Sequence, residues 1–373
     1  MDYDTVIVRY GEIFLKSDYV RKSFEDVLVR NMRRRLESDK VAYRIYQRRH
    51  RIYVETGSAE AACESLKTVF GIVSLSPATK TGSGLPELTE SAVALARTAI
   101  KPGESFAVRA QRAGSHPFSS KDVEEAAGAR ILEELDAVVD LEEPEKTVYV
   151  EIRDDEAYVY DKKVEGVGGM PYGTQGGLVS LLSTGIDSPV AAWMMMRRGC
   201  KVSFLHFGSL EEVEPIVKRL EYFCNQELMV WCIPHEPVLE AIGAEAGKYT
   251  CVVCKRFMHR AAELLAEKIH ASGIVSGENV GQVASQTLEN LEVIDCLRMP
   301  VYRPLVAMDK EEIIAVAKRI GTYELAVKGT KCPYVPDKPS TRAKLEEVLA
   351  AEEKIGIEKL LKDAWDSLVF GER

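Results

Sequence analysis

At 373 residues, with 46% apolar and 29% charged side chains, the chain has ordinary globular composition and room for two or three domains, which excludes a disordered or fibrous protein. A formal net charge of −9 argues against general nucleic-acid affinity, so any such contact has to be local. No apolar stretch is long enough to span a bilayer and no signal peptide opens the sequence, which predicts a cytoplasmic protein.

The first elements read as a strand over Tyr3–Tyr10 with alternating apolar positions, an amphipathic helix over 19–36, and two short strands over 42–46 and 51–55. This βαββ order is ferredoxin-like and predicts a first domain over residues 1–57. Its charge is uneven: Arg33, Arg34, Arg35, Lys40, Arg44, Arg48 and Arg49 stand against only Glu37 and Asp39. Such a cluster forms a local basic patch on an acidic chain, although a solvated helix face has the same pattern.

From residue 58 the pattern restarts, with a helix to about 70, a strand through 73–75, a helix over 86–100, a strand over 105–110, a helix over 121–135 and paired strands over 147–152 and 157–162. The order of these elements, with Val69-Phe-Gly-Ile-Val-Ser-Leu-Ser-Pro77 and Phe106-Ala-Val-Arg-Ala-Gln-Arg112, resembles a THUMP domain, expected over 58–165. The resemblance implies recognition of structured RNA, chiefly tRNA. Arg109, Arg112 and Lys121 are then the residues suited to phosphate, with Ser119 and Ser120 as neutral donors. A glycine-rich linker over 164–177 leads to a third domain expected over 174–373.

That domain opens on Leu178-Val-Ser-Leu-Leu-Ser-Thr-Gly-Ile-Asp-Ser188, an apolar run ending in a small polar loop and followed by Pro189, which suits a first helical turn. Strand, loop and helix N-terminus together make an anion site: Gly185 lets the backbone approach a ligand, and Ser183, Ser188 and the free amides donate to phosphate oxygens. No Lys follows the last Gly, so this is not a G-x-x-x-x-G-K-[ST] loop. Ser-x-Gly-x-Asp-Ser instead resembles the pyrophosphate loop of enzymes that cut ATP between its α- and β-phosphates, with Thr184 where the pattern has a first Gly. Asp187 cannot donate to phosphate, so its roles are to hold Mg²⁺ or to orient the loop.

Strands over 178–182, 201–207, 228–233, 273–276 and 301–305 alternate with helices, which predicts a doubly wound parallel sheet with its ligand at the strands' carboxyl ends. Here Ser276-Gly-Glu-Asn-Val-Gly-Gln-Val-Ala-Ser-Gln-Thr-Leu-Glu-Asn-Leu291, Arg303-Pro-Leu305, Asp309-Lys310 and the opening Val8-Arg-Tyr-Gly-Glu-Ile13 resemble the tRNA 4-thiouridine synthetase (tRNA sulfurtransferase) family. The resemblance implies that ATP adenylates O4 of a tRNA uridine between the acceptor and D arms and that a sulfur nucleophile then expels AMP. It also implies a nucleotide pocket of Leu181, Leu182, His206, Phe207, Lys255, Gly277 and Gln286, and a homodimer. Phe207 would equally fill the sheet core, and Asn279 and Gln282 receive no role.

Eight cysteines are present, most of them readable as small core residues. Cys251-Val-Val-Cys254 differs: it begins a helix carrying Lys255, Arg256 and Arg260, a setting expected to favour thiolates, and Cys332 lies in a loop. Many family members receive sulfur on a Cys at the Cys332 position from a C-terminal rhodanese domain. Here 341–365 reads as one or two helices, so another sulfur source is expected, inorganic sulfide or a cysteine desulfurase. The C-x-x-C resembles archaeal-type members, which implies a [4Fe–4S] cluster on Cys251, Cys254 and Cys332 with one iron open. A persulfide relay through Cys254 and Cys332, and a zinc site completed by His235 or His259, stay open, as do another adenylating enzyme and a non-catalytic RNA-binding protein.

Overall fold

The structure, a computed structural model, describes residues 3–48, 51–327 and 332–371. The chain divides into two compact units, Met1–Pro171 and Tyr172–Arg373.

The first unit runs β1 (Thr5–Tyr10), α1 (Asp18–Ser38), β2 (Arg44–Arg48), β3 (Arg51–Glu55), α2 (Ala59–Leu66), β4 (Ile72–Gly82), α3 (Leu85–Ala99), β5 (Ser105–Ala113), α4 (Ser120–Glu134), β6 (Val138–Val139), β7 (Lys146–Arg153), β8 (Glu156–Tyr160) and β9 (Val164–Glu165). Among the described residues its strands form one sheet in the order β2-β3-β1-β4-β8-β7-β5-β6, with β9 beside β4. β4 is the seam, since Ile72–Ala78 pairs with β1 and Thr79–Gly82 with β8.

Alternation along the strands explains the layering. Val6 and Val8 face one way and meet Leu28, Met32 and Leu36, which recur every fourth residue of α1, together with Ala62 and Leu66 of α2. Val148, Val150 and Ile152 likewise pack with α3 and α4. Ile7, Tyr53 and Tyr158 turn to the opposite face, where Tyr46, Tyr53 and Tyr158 stack at centroid distances of 5.2 and 4.6 Å.

The second unit runs β10 (Gly177–Leu182), α5 (Asp187–Arg197), β11 (Lys201–Phe207), α6 (Leu210–Cys224), β12 (Val230–Ile233), α7 (Glu236–Glu245), α8 (Thr250–Lys268), β13 (Ile274–Val275), α9 (Leu288–Ile294), β14 (Val301–Tyr302), α10 (Lys310–Ile320), α11 (Leu345–Ile355), α12 (Ile357–Asp366) and β15 (Val369–Phe370). The sheet order is β14-β13-β10-β11-β12-β15. Its pairs are parallel, as the alternating pattern predicts, except β15, which joins β12 antiparallel. Two residues are too few to carry a periodic signal, so β15 is not legible in the sequence. The helical stretch expected over 341–365 is broken into α11 and α12 by Gly356, whose φ of 68° suits a helix end. Among the described residues no helix is long and apolar enough to cross a membrane.

Candidate active site

β10 is apolar because it lies between β11 and β13, and its carboxyl end delivers the loop Ser183–Ile186 to the start of α5. The loop is tied by its own serines: Ser188 Oγ accepts from the Ser183 amide at 2.8 Å and lies 2.9 Å from Ser183 Oγ. A Cβ at Gly277 would come within 2.9 Å of the Ser188 nitrogen, so only glycine lets the end of β13 close against this loop. At Gly185 a Cβ would meet nothing closer than Ser183 Oγ at 3.4 Å, which leaves its backbone open to a ligand.

Around the loop lies a cavity of about 540 Å³. Leu181, Leu182, Ser183, Asp187, Ser188, His206, Phe207, Lys255, Gly277, Gln286 and Cys332 all line it, so nearly all the expected nucleotide residues converge; Gly185 is in the loop but not in the lining. His206 is buried, and its Nδ1 lies 2.9 Å from the Leu182 carbonyl. The carbonyl only accepts, so Nδ1 is the donor of that bond, while Nε2 makes no hydrogen bond and lies 3.5 Å from Glu212 Oε2. Gln286 Oε1 is buried and unpartnered too. Phe207 lines the cavity while its ring packs 6.2 Å from that of Phe257 in the core.

Behind Lys255 stands a charge network. Glu278, 4% exposed, accepts from Lys255 at 2.9 Å and from Arg303 Nε at 2.8 Å, with His259 Nε2 at 3.7 Å. Burial alone would raise the Glu278 pKa, but the charges of Lys255, His259 and Arg303 outweigh it and hold the carboxyl at about 2. Burial takes His259 the other way, down to about 4, so its imidazole becomes charged only in the acid range where Glu278 itself titrates.

Asp187 uses both oxygens, Oδ1 accepting from Lys310 at 2.6 Å and Oδ2 from Gln282 at 3.1 Å. Both bonds tie the start of α5 to residues outside the loop. Lys310 and Gln282 are site residues that the sequence reading left without a role, although Asp309 announces the helix start that carries Lys310: it forms a capping box with Glu312. Asn279 is structural, donating its buried amide to the carbonyls of Leu305 and Met308.

The thiols correct one expectation. Cys251 and Cys254 sit in the first turn of α8, yet their pKa values are raised, that of Cys254 to about 12, first by burial and then by the charge of Cys332. The cations expected to stabilise thiolates are committed elsewhere, Arg256 to buried Glu352 at 2.6 Å and Arg260 to Glu358. Cys254 Sγ lies 4.0 Å from His235 Nε2, and Cys332 is exposed. Among the described residues no group of three His, Cys, Asp or Glu side chains is arranged to hold a single metal ion.

Three family descriptions match in this order along the chain: the ThiI ferredoxin-like domain over 5–76, the THUMP domain over 83–161 and the thiamine biosynthesis protein (ThiI) over 173–357. A probable tRNA sulfurtransferase of Methanosarcina acetivorans is 41% identical over 97% of this chain and 92% of its own length. The chain belongs to the tRNA sulfurtransferase (ThiI) family. Its counterpart in Methanocaldococcus jannaschii is 41% identical over 94% of this chain and 97% of that protein. A crystal structure of a 4-thiouridine synthetase in complex with RNA and bound ATP is similar along 99% of both chains, with a TM-score of 0.88 at 30% identity.

The residues that the tRNA sulfurtransferase resemblance offers to RNA are less uniform. Arg33 and Arg34 are exposed on α1. Arg35 is 3% exposed, donates to Thr68 Oγ1 at 3.0 Å and pairs with Asp39, so its expected RNA contact is corrected to a structural one. Arg48 pairs with Asp155 and Glu156, Arg109 with the Leu141 carbonyl, and Arg112 with the Gly114 carbonyl. Lys121 extends from α4 beside Glu125. Arg49 lies outside the described residues.

Proposed function

We propose that the chain is an ATP-dependent tRNA-uridine 4-sulfurtransferase. The observation that carries this reading is one cavity lined by a pyrophosphate loop, a lysine and an exposed cysteine, in a chain that also carries an RNA-binding module. ATP is taken with its phosphates over Ser183–Ser188, where loop amides, serine hydroxyls and the α5 N-terminus meet the anion and Lys255 adds positive charge. Asp187, which lines the same cavity, would be the chain's ligand for the accompanying Mg²⁺ once the ion takes the place of the Lys310 ammonium or the Gln282 amide. Uridine O4 attacks the α-phosphorus and pyrophosphate leaves; sulfur then attacks C4, and the C4–O4 bond breaks to release AMP.

The sulfur-delivering group has to suit Cys251, Cys254 and Cys332. The donors suit such a group in kind, being three thiols, although among the described residues they are not gathered as a metal site. A [4Fe–4S] cluster held by these three would leave one iron for exogenous sulfide. A second reading, a persulfide on Cys332 or Cys254, is favoured by the exposure of Cys332 on a loop at the cavity. There the outer sulfur attacks C4, the second thiol closes a disulfide, and an external thiol reductant reopens it. The partners are tRNA, a source of sulfide or a cysteine desulfurase, and a second copy of the chain, acting in the cytoplasm. Incubation with ATP and unmodified tRNA tests the whole: AMP and 4-thiouridine should form in equal amounts. AMP without thiolation points to an adenylating enzyme of another kind, and neither product to an RNA-binding protein alone.

A further inference from the structure

A second cavity, of about 1040 Å³, opens at the carboxyl ends of β11 and β12. It shares Phe207, Glu212, His235, Leu239 and Pro333 with the nucleotide cavity. Cys332 lines the nucleotide cavity, Pro333 both, and Tyr334 the second, so the loop carrying the exposed thiol belongs to their common wall. That wall is backed by α7: a Cβ at Gly243 would stand 2.5 Å from Tyr334 Cδ1, so the ring lies directly on glycine backbone.

The lining has a definite chemistry. Rings of Phe207, Tyr334 and Phe370 supply flat apolar surface; Glu211, Glu212 and Glu236 supply carboxylates; among the described residues no Lys or Arg lines it. Its three carboxylates repel phosphate and offer acceptors; Glu212 holds Oε1 on the Ser209 amide at 3.2 Å and Oε2 3.5 Å from His206 Nε2, and each oxygen keeps a lone pair for a further donor. Such a wall suits a flat, uncharged ring that presents an N–H. Uracil is such a ring, and the chemistry requires one base whose C4 reaches AMP on one side and a sulfur on the other.

We propose that this second cavity receives the target uracil, swung out of the RNA, with N3–H on Glu212 and C4 at the wall shared with the nucleotide cavity. The proposal rests on the chain being a uridine-thiolating enzyme. It gives Glu212 a role in the proton balance: when O4 bonds to the α-phosphorus, the ring becomes an imidate and the N3 proton passes to the carboxylate. When hydrosulfide adds at C4 and AMP departs, its proton returns the ring to the N3–H thione. Cytosine carries an acceptor at N3 and would set a lone pair against the carboxylate.

The product supplies the probe. Full-length enzyme is incubated with tRNA carrying 4-thiouridine at the target position, irradiated with long-wavelength ultraviolet light, and the cross-linked peptides are mapped. Cross-links should fall on 207–212, 232–239, 333–334 or 369–371 and be competed away by unmodified tRNA. In parallel, Glu212→Gln should slow AMP formation at saturating ATP about a hundredfold with tRNA affinity retained. Cross-links confined to 276–286 or to the first unit, or none above sulfur-free tRNA, would overturn the cavity's role while AMP release stands. A wild-type chain releasing no AMP with tRNA would remove the function and this role together.

Discussion

Each unit is built round one buried carboxylate shared among cations, and the two differ in what the arrangement is for. In the first, Glu151 is 1% exposed and takes Arg9 at 3.0 Å, Arg51 at 3.3 Å and Arg153 at 2.8 Å, from β1, β3 and β7. It ties strands from both halves of the sheet across the seam. In the second, Glu278 takes Arg303 and Lys255, and Lys255 lines the cavity beside the phosphate loop. The same electrostatics thus locks a scaffold in one place and aims a ligand-binding charge in the other. The difference lies in whether one cation has a free space in front of it.

The largest break between the units should come from the phosphate loop. Asp187→Ala removes the group held by Lys310 and Gln282, and should cut AMP formation by about a hundred- to a thousandfold or more, and thiolation with it. Filter binding should find tRNA affinity almost unchanged, because the RNA modules belong to the other unit. Turnover at the wild-type rate would remove the assignment of the loop.

The cysteines should divide the site itself. If Cys251, Cys254 and Cys332 together hold a cluster, each single Ser variant, prepared without oxygen, should lose bound iron and 4-thiouridine formation while still releasing AMP. A relay needs only a carrier and a resolving thiol, so one variant would stay competent and iron-free protein would remain active. Full thiolation by Cys251→Ser decides for the relay.

The two carboxylates make the comparison quantitative. Glu151→Ala and Glu278→Ala each strand buried cations, and each should cost about 3–5 kcal/mol in urea unfolding. Only Glu278→Ala should also raise the KM for ATP, since it alone frees a cavity lysine. Both acids have lowered pKa values despite burial that opposes ionisation, through Arg9, Arg153 and Arg51 at Glu151 and through Lys255, His259 and Arg303 at Glu278. Their stabilising contribution is therefore complete above the ordinary value of 4.5 and drains away as pH falls, for Glu278 down to about 2. Wild-type unfolding should ease over that window, and each variant should show a flatter acid limb; a variant with the wild-type limb would mean its carboxylate is not linked to folding.

Much of this was legible because it is local. The period of β1 and α1, the run ending in Ser183–Ser188 and the order of strands in the second unit follow from neighbouring residues, as does convergence at the carboxyl ends of parallel strands. What escaped depends on distant partners. Lys310 reaches Asp187 across 123 positions, and Arg256 meets Glu352 across 96. The expectation of thiolates failed on burial first and on the nearness of Cys332 second, neither of which the residues beside Cys254 display. Arg35 is the same lesson in the first unit, since its position in a basic run hides the fact that it lies on the inner face of α1.

That contrast gives the smallest and most specific prediction. Arg33, Arg34 and Arg35 are consecutive, so on a helix they point in different directions, and only the first two are exposed. If Arg33 and Arg34 meet RNA phosphates, replacing both by Gln should weaken tRNA binding and reduce the slope of log affinity against log salt by about two, roughly one per contact. Stability should hardly change. Arg35→Gln should do the reverse, lowering the unfolding free energy by about 1–3 kcal/mol, chiefly through loss of its buried bond to Thr68, while leaving the salt slope as it was. The pair of measurements is decisive because one composition change yields opposite outcomes. A reduced slope for Arg35→Gln at full stability would mean that its guanidinium leaves the interior to meet RNA, and an unchanged slope for the double variant would return Arg33 and Arg34 to the solvent.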